Sequence, residues 1–97
     1  MDKFYYTYIL TNQSRSSLYI GVTSDLVKRI WQHKNGEADG FTKKYKLKNL
    51  VLYEVHNLPE DAIKREKQLK NWHREWKENF VTETNPEWRD LYDEILK

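Results

Sequence analysis

The sequence contains five side chains whose chemistry, taken together, suits cleavage of a phosphodiester bond. In chain order they are Tyr8, Tyr19, Arg29, His33 and Glu66. An arginine matches the planar geometry of a phosphate group, and a histidine exchanges protons near neutral pH. A carboxylate can bind a divalent cation. The set therefore offers a base, a charge clamp for phosphate and a metal ligand.

Glu66 breaks the expected apolar pattern of a predicted helix. At about 100° per residue it lies between Ile63 and Leu69, at the edge of the apolar face. A carboxylate at that position is costly to bury unless it is paired with a cation or binds a metal. The cations available for an ordinary ion pair are Arg65, Lys70 and Arg29. Taken alone, the residue favours the ion pair.

The other four residues also have ordinary interpretations. Tyr8 and Tyr19 fall on the two strands of a predicted hairpin, where tyrosine is a common core residue. Arg29 and His33 are four positions apart, so they share one side of a predicted helix and could be surface residues. The reference pKa of tyrosine is about 10, and a tyrosine base would need a pKa about 2–3 units lower. Nearby cations could supply that change.

Hydrophobic spacing and turn residues predict the elements that position these side chains. In chain order they are strands over residues 4–10 and 18–22, a helix over 25–34, a basic loop over 37–48, a strand over 49–55, a helix from 59 to 80 or 81 and a short helix after Pro86. The apolar face of the long helix comprises Ile63, Leu69, Trp72, Trp76 and Phe80. The short last helix carries Trp88, Leu91, Ile95 and Leu96.

This order of elements predicts an α+β fold, in which a small, mostly antiparallel sheet is covered by helices. At 97 residues the chain is expected to form one domain, residues 1–97. The absence of cysteine excludes a disulfide scaffold, a thiolate zinc site and a cysteine nucleophile. The sequence has no signal peptide and no apolar run near the roughly 20 residues of a spanning helix. We expect a cytoplasmic protein with no membrane partner.

The charge distribution suggests a polyanion-binding surface in the first half of the chain. The net charge is +2 overall, but residues 26–48 carry seven basic residues against two acidic ones. Residues 83–97 carry five acidic residues against two basic ones. A basic stretch of this kind fits nucleic acid, although composition alone favours a solvated loop with ordinary lysines.

Several segments, in order, make the chain resemble the GIY-YIG nuclease superfamily, and within it the small stand-alone bacterial members. Tyr19-Ile20-Gly21 is a literal YIG, eleven residues after Tyr8. The first motif is reduced to Tyr6-Thr7-Tyr8, which keeps the tyrosine and lacks its glycine and isoleucine. Further matching segments are residues 23–33, 40–45, 62–70 and 85–91. The resemblance covers nearly the whole chain.

The resemblance implies a fold and a set of catalytic roles. The fold is a three-stranded antiparallel sheet flanked by helices, in the order β-β-α-β-α-α. Tyr8 is expected to be the general base, Tyr19 to hold the attacking water or the phosphate, and Arg29 to stabilise charge in the transition state. His33 is expected to assist proton transfer or bind phosphate. Glu66 is expected to bind one divalent metal ion, Mg²⁺ or alternatively Mn²⁺.

The resemblance also implies a metal-dependent endonuclease that acts on DNA, with a role in DNA repair or recombination. The residues expected to bind substrate or to shape its site are Gly21, Lys28, Lys44 and Tyr45. The chain carries no separate DNA-binding domain of the kind found in larger family enzymes, so a targeting protein is an expected partner.

Two other functions remain open at the level of sequence. The fold could serve as a non-catalytic nucleic-acid-binding or adaptor module, which would bind through the basic stretch without metal. It could also serve as an interaction protein in which Trp72, Trp76 and Trp88 anchor a dimer.

Overall fold

The structure is a computed structural model that describes residues 3–38 and 40–97. Within these two ranges, three strands form one antiparallel sheet with strand order β2-β1-β3. They are β1 (Tyr5–Thr11), β2 (Leu18–Thr23) and β3 (Asn49–His56). All three are rich in the aromatic and β-branched residues that favour extended backbone. In the turn between β1 and β2, the side-chain oxygen of Asn12 accepts hydrogen bonds from the N–H groups of Ser16 and Ser17.

Five helices lie around the sheet in the described residues. They are α1 (Leu26–Lys34), α2 (Gly40–Lys44), α3 (Pro59–Asn71), α4 (Arg74–Thr84) and α5 (Tyr92–Ile95). The α+β class, the three-stranded antiparallel sheet and the approximate order of elements are confirmed. Two details differ, because the basic loop contains α2 and the long helix is two helices. In the part of the chain that the structure describes, no helix combines the length and the apolar composition needed to cross a bilayer.

The sheet has a hydrophobic cluster on each of its two faces. On the first face, α1 and the segment after α2 cover β1 and β3, and the buried residues are Tyr8, Leu10, Leu26, Ile30, Leu47 and Leu50. On the second face, α3 and α4 cover the sheet, and the buried residues are Ile9, Ile20, Val51, Leu52, Leu69 and Val81. Because side chains alternate along a strand, Tyr8 and Ile9 of β1 point to opposite faces.

Helix α1 is fixed at both ends by the residues that sequence patterns favour. The Asp25 side chain accepts a hydrogen bond from the Lys28 N–H at 3.1 Å, which caps the first turn. Asn35 caps the other end, and Gly36 follows with a left-handed φ of 70°. Leu26 and Ile30 are buried, as their spacing predicts. The helix therefore holds Arg29 and His33 at defined positions against the sheet.

The prediction of one long helix from residue 59 to 80 or 81 is wrong. Trp72 and His73 adopt extended ψ angles of 148° and 150°, which end α3 and allow α4 to begin in a new direction. Trp72 then packs edge-on against Phe80, with ring centroids 5.6 Å apart. Ile63 and Trp76, which the single-helix prediction assigned to the apolar face, are 44% and 56% exposed.

The predicted last helix is also shorter than expected. Trp88 has a left-handed φ of 52° and lies outside any helix, and α5 contains Tyr92–Ile95 alone. The chain after α4 is held by side-chain hydrogen bonds and not by a continuing helix. The buried side-chain amide of Asn85 donates to the Val51 and Arg89 carbonyls. Those bonds tie the chain after α4 to the end of the sheet.

Candidate active site

A buried chain of three polar side chains lies on the first face of the sheet. The Tyr8 phenol oxygen is 3.1 Å from Nε2 of His33, and Nδ1 of His33 is 3.2 Å from the Thr42 hydroxyl. These residues are 1%, 2% and 2% exposed. They come from β1, α1 and α2, so this row of contacting side chains forms only when all three elements are packed together. Both ring nitrogens of His33 are thereby given a hydrogen-bonding neighbour.

Gly21 provides the space that Tyr8 occupies. The two residues are directly opposite each other in the β1–β2 pairing. A Cβ atom on residue 21 would lie 2.4 Å from the Tyr8 phenol oxygen and 2.5 Å from Cζ, which is closer than non-bonded atoms approach. The glycine of the YIG motif is therefore needed because the ring of Tyr8 lies over its backbone.

Tyr19 joins the same site from β2. Its ring centroid is 6.3 Å from that of Tyr8 and 5.7 Å from that of His33. In the strand register Tyr19 faces Leu10, two residues beyond Tyr8 on the same side of β1. The structure thus brings Tyr8, Tyr19 and His33 together.

Arg29 lies on α1, four residues before His33. It is half-buried, and its Nη1 donates a hydrogen bond to Oε1 of Gln32 at 3.2 Å. A surface groove of about 410 Å³ runs beside it, lined by Thr23, Ser24, Asp25, Lys28, Arg29 and Gln32. Two cations along one groove suit a phosphate group.

Glu66 reaches the sheet from α3, which packs against β1 and β2. It lies one turn from the buried Ala62 and three residues from the buried Leu69, so it is on the inward side of the helix. Its side chain is 21% exposed, and Oε1 is 3.4 Å from Nζ of Lys70. Lys70 is thus its ion-pair partner, whereas Arg65 pairs with Glu54.

A metal ion held through Glu66 would keep most of its ligands outside the protein. Among residues 3–38 and 40–97, no group of three or more His, Cys, Asp or Glu residues is placed to hold a metal. A single half-buried carboxylate fits Mg²⁺, which commonly takes one or two protein carboxylates, several waters and substrate phosphate oxygens. Glu66 is the residue that would hold such an ion.

The outer side of α2 presents exposed aromatic and basic residues. Phe41 and Tyr45 are 49% and 43% exposed, with ring centroids 4.9 Å apart. The Lys44 ammonium lies 5.4 Å from the centre of the Tyr45 ring. Phe41 also contacts Tyr19, at 6.4 Å between centroids. The predicted substrate residues Lys44 and Tyr45 are therefore connected to the buried site through neighbouring rings.

Sequence reasoning missed two residues of this site. Gln32 is three positions after Arg29 on a helix, and this spacing was a usable signal for their contact. Thr42 gave no such signal, because its contact with His33 depends on how α2 packs onto α1. The burial of His33 was also unexpected, since its position on the flank of α1 suggested a surface residue.

Comparison with known proteins agrees with the fold and with the positions of the motifs. Residues 4–79 match the family described as the GIY-YIG catalytic domain. The chain therefore belongs to the GIY-YIG family, a family of nucleases. The resemblance of the sequence to this family is thereby confirmed.

The relatives are short proteins of similar length. A UPF0213 protein of Staphylococcus saprophyticus is 36% identical over 83 residues, which is 86% of this chain and 99% of the relative. A UPF0213 protein of Haloquadratum walsbyi is 32% identical and covers 86% and 92% of the two chains. The solution NMR structure of a UPF0213 protein from Bacillus halodurans has a TM-score of 0.57 and 28% identity, covering 90% and 92% of the two chains.

Proposed function

We propose that this protein is a divalent-metal-dependent endonuclease that hydrolyses phosphodiester bonds in DNA. The observation that carries the proposal is the buried contact between Tyr8 and His33, at 3.1 Å, on the face that also carries Tyr19. Burying polar side chains in a small core costs stability unless they are hydrogen-bonded. A fully apolar face would pack without that requirement, so the arrangement is better explained by chemistry than by stability.

In this proposal Tyr8 is the general base and His33 moves the proton. The imidazole next to the phenol can accept the proton that Tyr8 takes from water, or it can donate to a phenolate and stabilise it. Tyr8 is 1% exposed, so the attacking water must reach the phenol oxygen from the side of Tyr19. Tyr19 is partly exposed and orients that water or the scissile phosphate.

Arg29 stabilises the negative charge that develops on the phosphate in the transition state. Its guanidinium is held by Gln32, which reduces the freedom lost when it binds the phosphate. Lys28 lines the same groove and contacts the phosphate backbone next to the scissile bond. Lys44 and Tyr45, on the outer side of α2 and just after it, bind the substrate further from the reacting atoms.

Glu66 holds the divalent metal ion, Mg²⁺ or Mn²⁺. When bound, such an ion polarises the phosphate and stabilises the leaving oxygen. Since Lys70 lies 3.4 Å from the carboxylate, metal binding competes with that ion pair, which is partly exposed and weak. The GIY-YIG nucleases act on nucleic acid with divalent metals, which supports this assignment.

We also propose a location, a biological role and a partner for this activity. The protein is a single domain in the cytoplasm, it acts in DNA repair or recombination, and a targeting protein supplies specificity. The pairing of Glu66 with Lys70 favours one alternative, a non-catalytic module that binds nucleic acid without metal.

Cleavage of a mixed panel of substrates tests the proposal directly. The panel contains plasmid, single-stranded DNA, branched DNA and RNA, each incubated with Mg²⁺, with Mn²⁺ or with EDTA. Wild type is compared with Glu66→Ala and with the matched control Glu60→Ala, an exposed acidic residue at the start of α3. We expect metal-dependent cleavage of DNA by wild type and Glu60→Ala, and loss of cleavage in Glu66→Ala.

Circular dichroism shows whether each variant is folded before activities are compared. Equal cleavage by Glu66→Ala and wild type would overturn the metal assignment. Absence of cleavage in every case, together with metal-independent binding that falls with salt, would favour the binding module. Cleavage of RNA alone would replace the proposed substrate.

A further inference from the structure

We propose that Thr42 is a positioning residue that fixes the ring of His33 and thereby connects the substrate-binding side of α2 to the buried Tyr8. The catalytic consequence rests on the nuclease function proposed above. The effect of Thr42 on the state of the His33 ring does not, because it follows from the hydrogen bonds of the folded protein.

Thr42 acts on His33 through the hydrogen bonding of the imidazole ring. A neutral histidine carries a proton on one ring nitrogen and accepts at the other. The Thr42 hydroxyl is 3.2 Å from Nδ1, and the Tyr8 phenol is 3.1 Å from Nε2. When Nδ1–H donates to Thr42, Nε2 is left to accept the phenol proton. The hydroxyl of Thr42 can pair with Nδ1 in either tautomer, so it holds the rotation of the ring, and its removal changes the relative stability of the two tautomers.

A second buried threonine shows what an ordinary structural hydroxyl does in this protein. Thr11 is 1% exposed, and its hydroxyl donates to the Ser17 main-chain carbonyl at 2.9 Å. That bond closes the β1–β2 hairpin and involves no titratable group. Thr42 is equally buried, but its hydroxyl lies against a histidine that itself contacts Tyr8. The two residues therefore form a matched pair for mutation.

The position of Thr42 on α2 connects the His33 ring to the outer side of that helix. Thr42 points inward, while its neighbours Phe41, Lys43 and Lys44 are exposed on the outer side. The Leu47 N–H donates to the Thr42 carbonyl at 2.9 Å, which joins α2 to the buried Leu47. A nucleic acid bound to the outer side of α2 would hold Thr42 in place, and with it the ring of His33.

The experiment compares Thr42→Val, which keeps the shape without the hydroxyl, with Thr42→Ser, which keeps the hydroxyl. Thr11→Val is the control for losing a buried hydroxyl elsewhere. Protein labelled with ¹⁵N in its histidine rings is examined by NMR across pH, and the signals are assigned with a His33→Gln variant. For Thr42→Val we expect a changed tautomer distribution of His33, which Thr42→Ser restores and Thr11→Val leaves unchanged.

Cleavage kinetics on the same variants test the catalytic part. We expect the kcat of Thr42→Val to fall on the order of tenfold or more, with KM nearly unchanged and the pH profile displaced. An unchanged His33 ring in folded Thr42→Val would overturn the inference whatever the activity. A changed ring in a protein with no nuclease activity would keep the positioning role and overturn the nuclease function.

The backbone after α2 independently points to a binding groove, and we infer that it holds the phosphate backbone of the bound nucleic acid. Lys46 has a left-handed φ of 56°, a conformation usually given to glycine where a helix ends. Its N–H donates to the Lys43 carbonyl, as at a helix C-terminus. This conformation ends α2 and directs the chain toward β3, beside the groove that Lys46 lines.

The side chain of Lys46 lines an open groove of about 690 Å³ between the β1–β2 turn and the start of β3. The groove also contains Lys48, Tyr45, Asn12, Gln13 and Ser14. Two cations with amide and hydroxyl groups suit a chain of phosphates, whose charge draws lysines and whose oxygens accept hydrogen bonds. Tyr45 is shared with the substrate side of α2, so the groove continues the candidate active site.

Binding of fluorescent single-stranded and duplex DNA, measured by anisotropy in the Glu66→Ala background with EDTA, tests this groove. Lys46→Gly removes the charge and relieves the backbone, Lys48→Gln removes the second charge, and Lys97→Gln is the control for net charge. We expect the melting temperature of Lys46→Gly to be no lower than that of its parent. We expect its affinity for DNA to be several-fold lower, with a salt dependence that corresponds to about one fewer phosphate contact.

An affinity and a salt dependence equal to those of the parent in both groove variants would overturn the groove. That result would leave the nuclease proposal in place, because cleavage is measured separately. An equal loss in Lys97→Gln would also overturn it, since the effect would then come from net charge alone.

Discussion

The two faces of the central sheet are equally buried but are built differently. On the second face, Ile9 and Leu69 belong to an aliphatic cluster, and the buried hydroxyls of Thr7 and Thr11 donate to main-chain carbonyls. On the first face, the buried residues include aliphatic side chains and also Tyr8, His33 and Thr42, whose side chains contact one another. The Thr7 hydroxyl on the second face also contacts Nε2 of His56 at 3.2 Å, so the first face differs in that all three of its contacting side chains are fully buried.

The difference indicates which face is specialised. Polar side chains on the first face could be replaced by aliphatic ones at little cost in stability, because a satisfied polar network contributes little net free energy. Among the described residues, no buried side-chain nitrogen or oxygen lacks a hydrogen bond, so the network is satisfied. We therefore expect the aliphatic cluster of the second face to determine stability, and the polar residues of the first face, together with Glu66 on α3, to determine activity.

The largest expected change in stability comes from the second face. Leu69→Ala removes a fully buried side chain between α3 and the sheet, and it should lower the free energy of unfolding by about 2–5 kcal/mol. Urea unfolding measures this loss. Below the new melting point the kcat of the folded protein should stay near the wild-type value. A tenfold fall in kcat would show that the two faces are not separable.

The next largest effect comes from crowding the first face at Gly21. In Gly21→Ala the new Cβ would lie within 2.5 Å of the Tyr8 phenol, so the ring must move. We expect a loss of about 1–3 kcal/mol in stability and about a hundredfold loss in cleavage from misplacement of the base. Thermal melting and cleavage rates measure both.

Gly40→Ala is the matched control for that substitution. Nothing lies within 4 Å of a Cβ placed on Gly40, so stability and cleavage should both stay close to wild type. If Gly21→Ala behaves in the same way as Gly40→Ala, the close approach of Tyr8 to residue 21 is of no consequence for activity.

The smallest expected effect concerns the cap of α1, the helix that carries Arg29 and His33. Asp25→Ala removes the hydrogen bond to the Lys28 N–H and should cost about 1 kcal/mol of stability. Asp25→Asn, which can still cap, should recover most of it in the same melting assay. Cleavage by either variant should change less than fivefold, and a larger loss would assign Asp25 itself to the site.

Local patterns were sufficient to predict the sheet and the residues that lie on it. The aromatic and β-branched residues of the first two strands, with the polar turn between them, predicted a hairpin carrying Tyr8 and Tyr19, and the observed register puts Gly21 opposite Tyr8. The capped helix after β2 followed from Asp25 and the Asn35-Gly36 ending. These features depend on neighbouring residues and short turns, so a single sequence contains enough information for them.

The predictions from sequence were wrong where tertiary packing determines the backbone conformation. The chain breaks at Trp72 without a proline or glycine, because Trp72 packs against Phe80 instead of continuing the helix. Trp88 is left-handed although its residue type does not favour that conformation. The contact of Thr42 with His33 depends on the packing of a five-residue helix that the sequence pattern did not indicate.

The most direct test of the account is the comparison of Tyr8→Phe with wild type in cleavage and unfolding measured on the same preparations. The substitution removes the phenol oxygen that lies 3.1 Å from His33 and leaves the buried ring in place. We predict a loss of metal-dependent DNA cleavage of at least about a hundredfold. We expect a change in stability of only about 1–3 kcal/mol, because the substitution removes this hydrogen bond from the buried Nε2 of His33. Wild-type cleavage by folded Tyr8→Phe would contradict the account, because the buried hydroxyl would then be part of the core and not of a catalytic site.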